Sequence, residues 1–177
     1  MTEKPDSGRR FLVFSSVGGL GRKENVMTFP RSESDRWRVL IADDDDGVRG
    51  SLAALLDKDG FDTQEVRGGE EAMRFLRRDW NASQKSSGDP AKSSVATTID
   101  LMILDVHMPD LTGVEVLRKV RQELCWSLPT LFVSGEASIE LHEEVKSVGG
   151  FALLSKPVMP AVFRGNVQDL VRTFLLD

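Results

Sequence analysis

Two rhythms of apolar residues alternate along the chain from Arg38 onward. Short runs at Arg38–Ala42, Leu101–Asp105, Pro129–Val133 and Phe151–Leu154, with a further stretch at Asp62–Val66, predict strands. The run Leu101–Leu104 has no polar alternation, which suits a strand buried on both faces of a parallel sheet. Between these runs the apolar residues return every three or four positions, the period of a helix with one buried face. The first predicted helix has Val48, Leu52, Leu55 and Leu56 on one face, Asp46 as N-cap and Gly60 as the stop. A second covers Glu70–Asp79, with Ala72, Phe75 and Leu76 inward. A third covers Val114–Glu123, opened by Thr112 with Glu115 three residues on, the spacing of a capping box. The fourth covers Ile139–Ser147, stopped by Gly149-Gly150. The fifth covers Pro160–Leu175 and buries Phe163, Val167, Leu170, Val171 and Phe174. Five strand–helix repeats predict an α/β fold, a doubly wound parallel sheet with right-handed crossovers. The natural strand order is 2-1-3-4-5, as in flavodoxin-like (βα)5 domains.

Two stretches fall outside this rhythm. Residues 1–36 are polar and small apart from an apolar patch at Phe11–Phe14, able to pair or pack locally, and read as a flexible N-terminal extension to a domain over 37–177. Gly18–Lys23 lacks the spacing of a phosphate-binding loop. Residues 80–98, rich in Ser, Lys, Gly, Pro and Ala, read as a long mobile loop.

Composition narrows the class. At 177 residues the chain has room for one well-buried domain, and 40% hydrophobic with 29% charged residues is ordinary for a globular protein. A net charge of −5 argues against a nucleic-acid partner. No run reaches the roughly 18 apolar residues needed to cross a bilayer. The apolar run after Arg9-Arg10 is too broken for an export signal, so the expected compartment is the cytoplasm. The single cysteine, Cys125, reads as a reduced thiol among core residues.

The chemistry gathers at strand ends. Pro109 cannot continue a central strand, so the strand before it stops near Asp105, facing a loop. Asp43 and Asp44 close the first strand, Ser134 the fourth and Lys156 the fifth. In the predicted order all of them face one crevice at the switch point, where open α/β sheets bind ligands. Crowded carboxylates repel, and a hard divalent cation compensates them, Mg²⁺ being suited to oxygen ligands with open water positions. A phosphoryl group on Asp105 would meet the metal, the Lys156 ammonium and the Ser134 hydroxyl, the positioning and charge stabilisation that phosphoryl transfer needs. The plainer alternatives are helix capping for the acidic run and a simple ion pair for Lys156.

Ile41-Ala42-Asp43-Asp44-Asp45, Asp105-Val106-His107-Met108-Pro109 with Gly113, Val133-Ser134-Gly135 and Ser155-Lys156-Pro157 together resemble the receiver domain of two-component response regulators, in the stand-alone, chemotaxis-regulator-like form. The resemblance covers about Arg38 to Asp177. It implies that Asp105 accepts a phosphoryl group from a sensor histidine kinase or histidine phosphotransfer protein. It implies Mg²⁺ (Mn²⁺ as the alternative) held by Asp43, Asp44, Asp105 and the backbone carbonyl of His107. Ser134 and Lys156 would contact the phosphoryl group, and the side chains of His107 and Glu136 would tune its hydrolysis. Such a domain is a signalling phosphoacceptor, catalysing only its own phosphorylation and dephosphorylation. Where the family often has an aromatic switch residue, this chain has Leu153. With no output domain after the last helix, the expectation is a surface change at the fourth helix, fifth strand and fifth helix, read by a protein target or a second copy. The alternatives are a phosphate relay or sink, an inactive receiver kept as a binding module, and a fragment of a longer regulator.

Overall fold

The computed structural model describes residues 9–13, 25–29, 36–86 and 99–175. Strands β1 (Arg9–Val13) and β2 (Asn25–Phe29) pair antiparallel, Arg9 opposite Phe29 and Val13 opposite Asn25. The patch expected to pair locally therefore does so over residues 11–13, while Phe14 and Gly18–Lys23 lie outside the described residues.

The main sheet is built from β3 (Arg38–Ala42), β4 (Asp62–Val66), β5 (Leu101–Asp105), β6 (Thr130–Ser134) and β7 (Ala152–Ser155). All pairings are parallel, in the order β4-β3-β5-β6-β7, the predicted 2-1-3-4-5. Helices α1 (Asp46–Lys58) and α5 (Pro160–Phe174) contribute to one apolar cluster, and α2 (Gly69–Ser86), α3 (Gly113–Glu123) and α4 (Ile139–Ser147) to the other. Strand residues divide between the clusters with period two. Val39, Ile41, Leu101 and Ile103 enter the first, and Leu40, Ala42, Met102 and Leu104 the second. Both faces are covered, which is why the central strands read as continuous apolar runs.

Several local expectations are corrected. The N-cap of α1 is Asp45, not Asp46: its extended backbone lets Oδ1 accept the amides of Gly47 and Val48 at 2.8 and 2.9 Å, whereas Asp46 is already helical. The buried face of α1 is Arg49, Leu52, Ala53 and Leu56, leaving Val48 and Leu55 half-buried. Helix α2 continues through residues 80–86, the first part of the expected loop at 80–98, whose remaining residues 87–98 lie outside the described residues. Trp80 anchors the added turn against Trp126, ring centroids 5.2 Å apart, and no Gly or Pro interrupts the chain before Gly88. Phe174 is half exposed at the end of α5, edge-on to Phe151 at 5.9 Å. Cys125 is half-buried rather than in the core, and takes a left-handed backbone (φ 50°) just past α3. Gly60, the predicted stop, follows α1 at φ 85°, where a glycine carries no Cβ penalty. The capping box at Thr112 and Glu115 is present as predicted.

One cap comes from far along the chain. The Asp110 carboxylate accepts the Gly69 and Glu70 amides at the start of α2, at 3.0 and 3.1 Å, and its own neighbour's Leu111 amide at 2.7 Å. Partial burial works against the charge, but the amides of Glu70, Leu111 and Gly69 outweigh it and hold this carboxyl below its ordinary range. Asp110→Ala is expected to cost about 1 kcal/mol in urea unfolding at pH 7, the usual scale of a lost cap. The contribution is present above the unfolded pKa of 3.8 and is lost as pH falls through the lower folded value. The difference between wild type and variant should therefore vanish in acid.

Candidate functional site

The sheet register brings the acidic residues level. Ala42 lies beside Leu104, so the next residues, Asp43 and Asp105, leave adjacent strands together at the switch point. Glycine is required opposite: a Cβ on Gly113 would collide with the Asp105 carbonyl, so α3 starts hard against the end of β5.

Asp43 is fully buried. Its amide donates to the Val66 carbonyl at 3.3 Å, and its Oδ1 accepts the Asp45 amide at 2.9 Å. Its carbonyl accepts from Arg49 Nη1 at 2.8 Å. Lys156 Nζ lies 2.8 Å from Asp43 Oδ2, an ion pair by distance but without hydrogen-bond alignment, and 3.1 Å from Asp105 Oδ1. The Lys156 amide donates to the Ser134 carbonyl at 2.7 Å, which ties the lysine's backbone to the neighbouring strand end. The Lys156–Pro157 peptide is cis.

One carboxylate oxygen from each of Asp43, Asp44 and Asp105 lies within 4.8 Å of the others. Asp44 is exposed, whereas Asp105 is buried at the end of β5. Burial pushes the Asp105 carboxyl above its usual range; the Lys156 ammonium pulls it back, and Asp43 and Asp44 push it further up. Burial also opposes the charge on Lys156, but its two carboxylate partners prevail and hold its pKa above the ordinary value. Three carboxylates thus face one ammonium, and the donor set is all hard oxygen. That set fits a divalent cation of the Mg²⁺ type, which would offset the excess negative charge.

The other predicted site residues lie at different depths. Ser134 is buried at the end of β6, its Oγ accepting the Glu136 amide at 3.1 Å. His107 and Glu136 are exposed in the loops after β5 and β6. Leu153 is buried in the cluster beneath α4, beside Phe132 in the sheet register. Arg49 was missed by the sequence reading. Its period was legible (49, 52, 53 and 56 form one helical stripe), but a charged residue in a stripe reads as solvent-facing.

The family model of the response regulator receiver domain matches residues 39–168. The chain is 26% identical over 174 residues to the 3′,5′-cyclic-nucleotide phosphodiesterase regA of Dictyostelium discoideum, covering 92% of this chain and 20% of that protein. It is 28% identical over 142 residues to the transcriptional regulatory protein TrcR of Mycobacterium tuberculosis, covering 80% and 48%. The chain thus spans between a fifth and about half of the length of these relatives. Among solved structures, the chemotaxis protein CheY4 of Vibrio cholerae superposes with a TM-score of 0.59 at 26% identity, over 77% of this chain and 99% of that one. With the family model covering most of the chain and the fold matching, this chain belongs to the response regulator receiver family, the phosphoacceptor signalling domains of two-component systems.

Proposed function

We propose that Asp105 accepts a phosphoryl group from a phosphohistidine on a sensor histidine kinase or histidine phosphotransfer protein, in a Mg²⁺-dependent reaction, and that the modified domain signals through a changed surface. The observation that carries this reading is the meeting of Asp43, Asp44, Asp105 and Lys156 within a few ångströms at one end of the sheet. In the transfer, an Asp105 carboxylate oxygen bonds to phosphorus as the donor's P–N bond breaks, and the departing imidazole keeps the electron pair and takes up a proton. Asp43, Asp44, Asp105 and the His107 backbone carbonyl would hold the metal. When bound, Mg²⁺ supplies positive charge beside a phosphoryl oxygen. Lys156 already lies against the acceptor oxygen and needs only a small shift to follow the phosphoryl group. Ser134 would exchange its bond with the Glu136 amide for one to a phosphoryl oxygen. Burial of Asp105 keeps water from the acyl phosphate, and the exposed His107 and Glu136 side chains flank the path by which water would arrive.

Ile139 on α4 and Met159 and Val162 at the start of α5 are large exposed apolar residues, and they support a protein-reading surface there. Leu153 beneath α4 is the residue whose repacking would connect that surface to the site. Phosphorylation acts by favouring one of two packings.

The test is intact mass after incubation with Mg²⁺ and acetyl phosphate. The expected result is gain of one phosphoryl group, absent in Asp105→Asn and after chelation. Slow decay of the adduct marks a switch, and rapid loss marks a relay or sink. No adduct from acetyl phosphate or a phosphohistidine donor, and no beryllofluoride binding, would overturn the reading.

A further inference from the structure

Arg49 is the one charged residue on the buried stripe of α1, with its side chain only 8% exposed. Its guanidinium is engaged on three sides. Nη1 donates to the Asp43 carbonyl at 2.8 Å, Nη2 bonds the Asp46 carboxylate, and Nε lies 3.3 Å from Glu65 Oε2 on β4. A planar fork of this kind fixes direction as well as charge, which a lysine cannot reproduce. Burying a guanidinium is costly, so partners this complete call for a reason. Two are available. Arg49 can fasten α1 to β4 through Glu65, or it can set the backbone from which the acidic residues project.

The contact with Asp43 favours the second. The peptide following Asp43 carries the Asp44 amide, so the bond to the Asp43 carbonyl fixes the orientation of the unit joining the two acids. Asp44 is exposed, yet one of its carboxylate oxygens lies within 4.8 Å of those of Asp43 and Asp105. The side chain also leans back along the helix toward its N-terminus, as helical side chains do, which brings it under the end of β3.

We propose that Arg49 is a positioning residue for the cation site, orienting the Asp43–Asp44 peptide so that both carboxylates face Asp105. This rests on the cation-binding part of the proposed function. Arg49 itself touches no reacting atom. Removing it should leave the ligands in place chemically but misdirected.

The test measures binding of Mn²⁺ alone, without phosphodonor, by loss of the free-ion EPR signal, for wild type, Arg49→Met, Arg49→Lys and Glu65→Gln. Arg49→Met is expected to weaken Mn²⁺ binding by about 10–100-fold, the usual effect of removing a residue that orients metal ligands. Arg49→Lys should fall between, having the charge without the fork. Glu65→Gln removes the anchor to β4 and should change affinity less than about threefold, although it too lowers the melting temperature. Wild-type affinity in Arg49→Met would overturn the inference. So would a Glu65→Gln loss equal to that of Arg49→Met, because general loosening would then explain both. If Arg49→Met does not fold, Arg49→Lys decides, and wild-type binding there overturns the proposal. Failure of wild type itself to bind Mn²⁺ would overturn the cation reading instead, so the two failures are distinct.

Discussion

Lys156→Met is expected to lower the stability of the metal-free protein by about 3 kcal/mol at pH 7. That is the low end for breaking a buried ion pair, because the lysine side chain is one-fifth exposed and partly screened. Methionine keeps most of the length of the side chain and removes the ammonium group, leaving Asp43 and Asp105 buried without their counter-ion. The loss should depend on pH. Lys156 has a raised pKa, so its contribution is present below the unfolded value of 10.5 and persists throughout the neutral range. Without it, the already raised Asp105 carboxyl moves further up. A carboxyl raised in the folded state loses its stabilisation as pH rises through that folded value. The deficit should therefore be smaller in acid, where Asp105 is protonated, and grow toward pH 7. Millimolar Mg²⁺ should recover part of it by binding only the folded state. Urea unfolding at several pH values, with and without Mg²⁺, measures all of this. A deficit below about 1 kcal/mol, or one independent of pH, would contradict the ion pairing described here. Asp105→Asn supplies the converse: it removes one of the competing charges and should stabilise the metal-free protein while abolishing phosphoryl uptake.

Phe163→Ala is expected to cost about 3–5 kcal/mol, the range for truncating a buried aromatic residue. Against a typical total of about 5–15 kcal/mol, that is a large share. Phe163 is wholly buried in the first turn of α5, in the cluster that includes Leu154, Val167 and Ile41. Val167, Leu170 and Val171 continue the same face, so the remainder of the helix should stay docked while its beginning loosens. Hydrogen exchange should therefore accelerate most at residues 160–165, beside Met159 and Val162. Phe163→Leu, which keeps much of the volume, should lose less than half as much. A cost under about 1.5 kcal/mol for the alanine variant would mean that α5 is not seated as described.

The fold and most of the site were legible because both follow from near-neighbour pattern and topology. Unbroken apolar runs such as Leu101–Leu104 require a sheet covered on both faces, and alternation with helical periods makes it parallel. Once parallel, the residues that close the strands must share one end. Asp43, Asp105, Ser134 and Lys156 were therefore assigned to one crevice from their positions alone, and the sheet register puts all four at the same end of the sheet. Features set by contacts between distant segments were not legible. Helix α2 outlasts its expected end because Trp80 finds Trp126, a partner 46 residues away that no local composition announces. Asp45 rather than Asp46 caps α1 because the backbone angle at the turn, and not residue type, decides which carboxylate reaches the open amides.

What the sequence by itself determined was the architecture and which polar residues close the strands, since hydrophobic period and strand-end position depend on the order of residues alone. What only the tertiary structure decided was how those groups are held. Arg49 is buried because Asp43, Asp46 and Glu65 meet around it, and Asp110 caps a helix that begins 41 residues earlier. Polar groups are directional, and their partners come from whichever segments the packed fold brings near; a one-dimensional pattern carries the first of these facts and not the second.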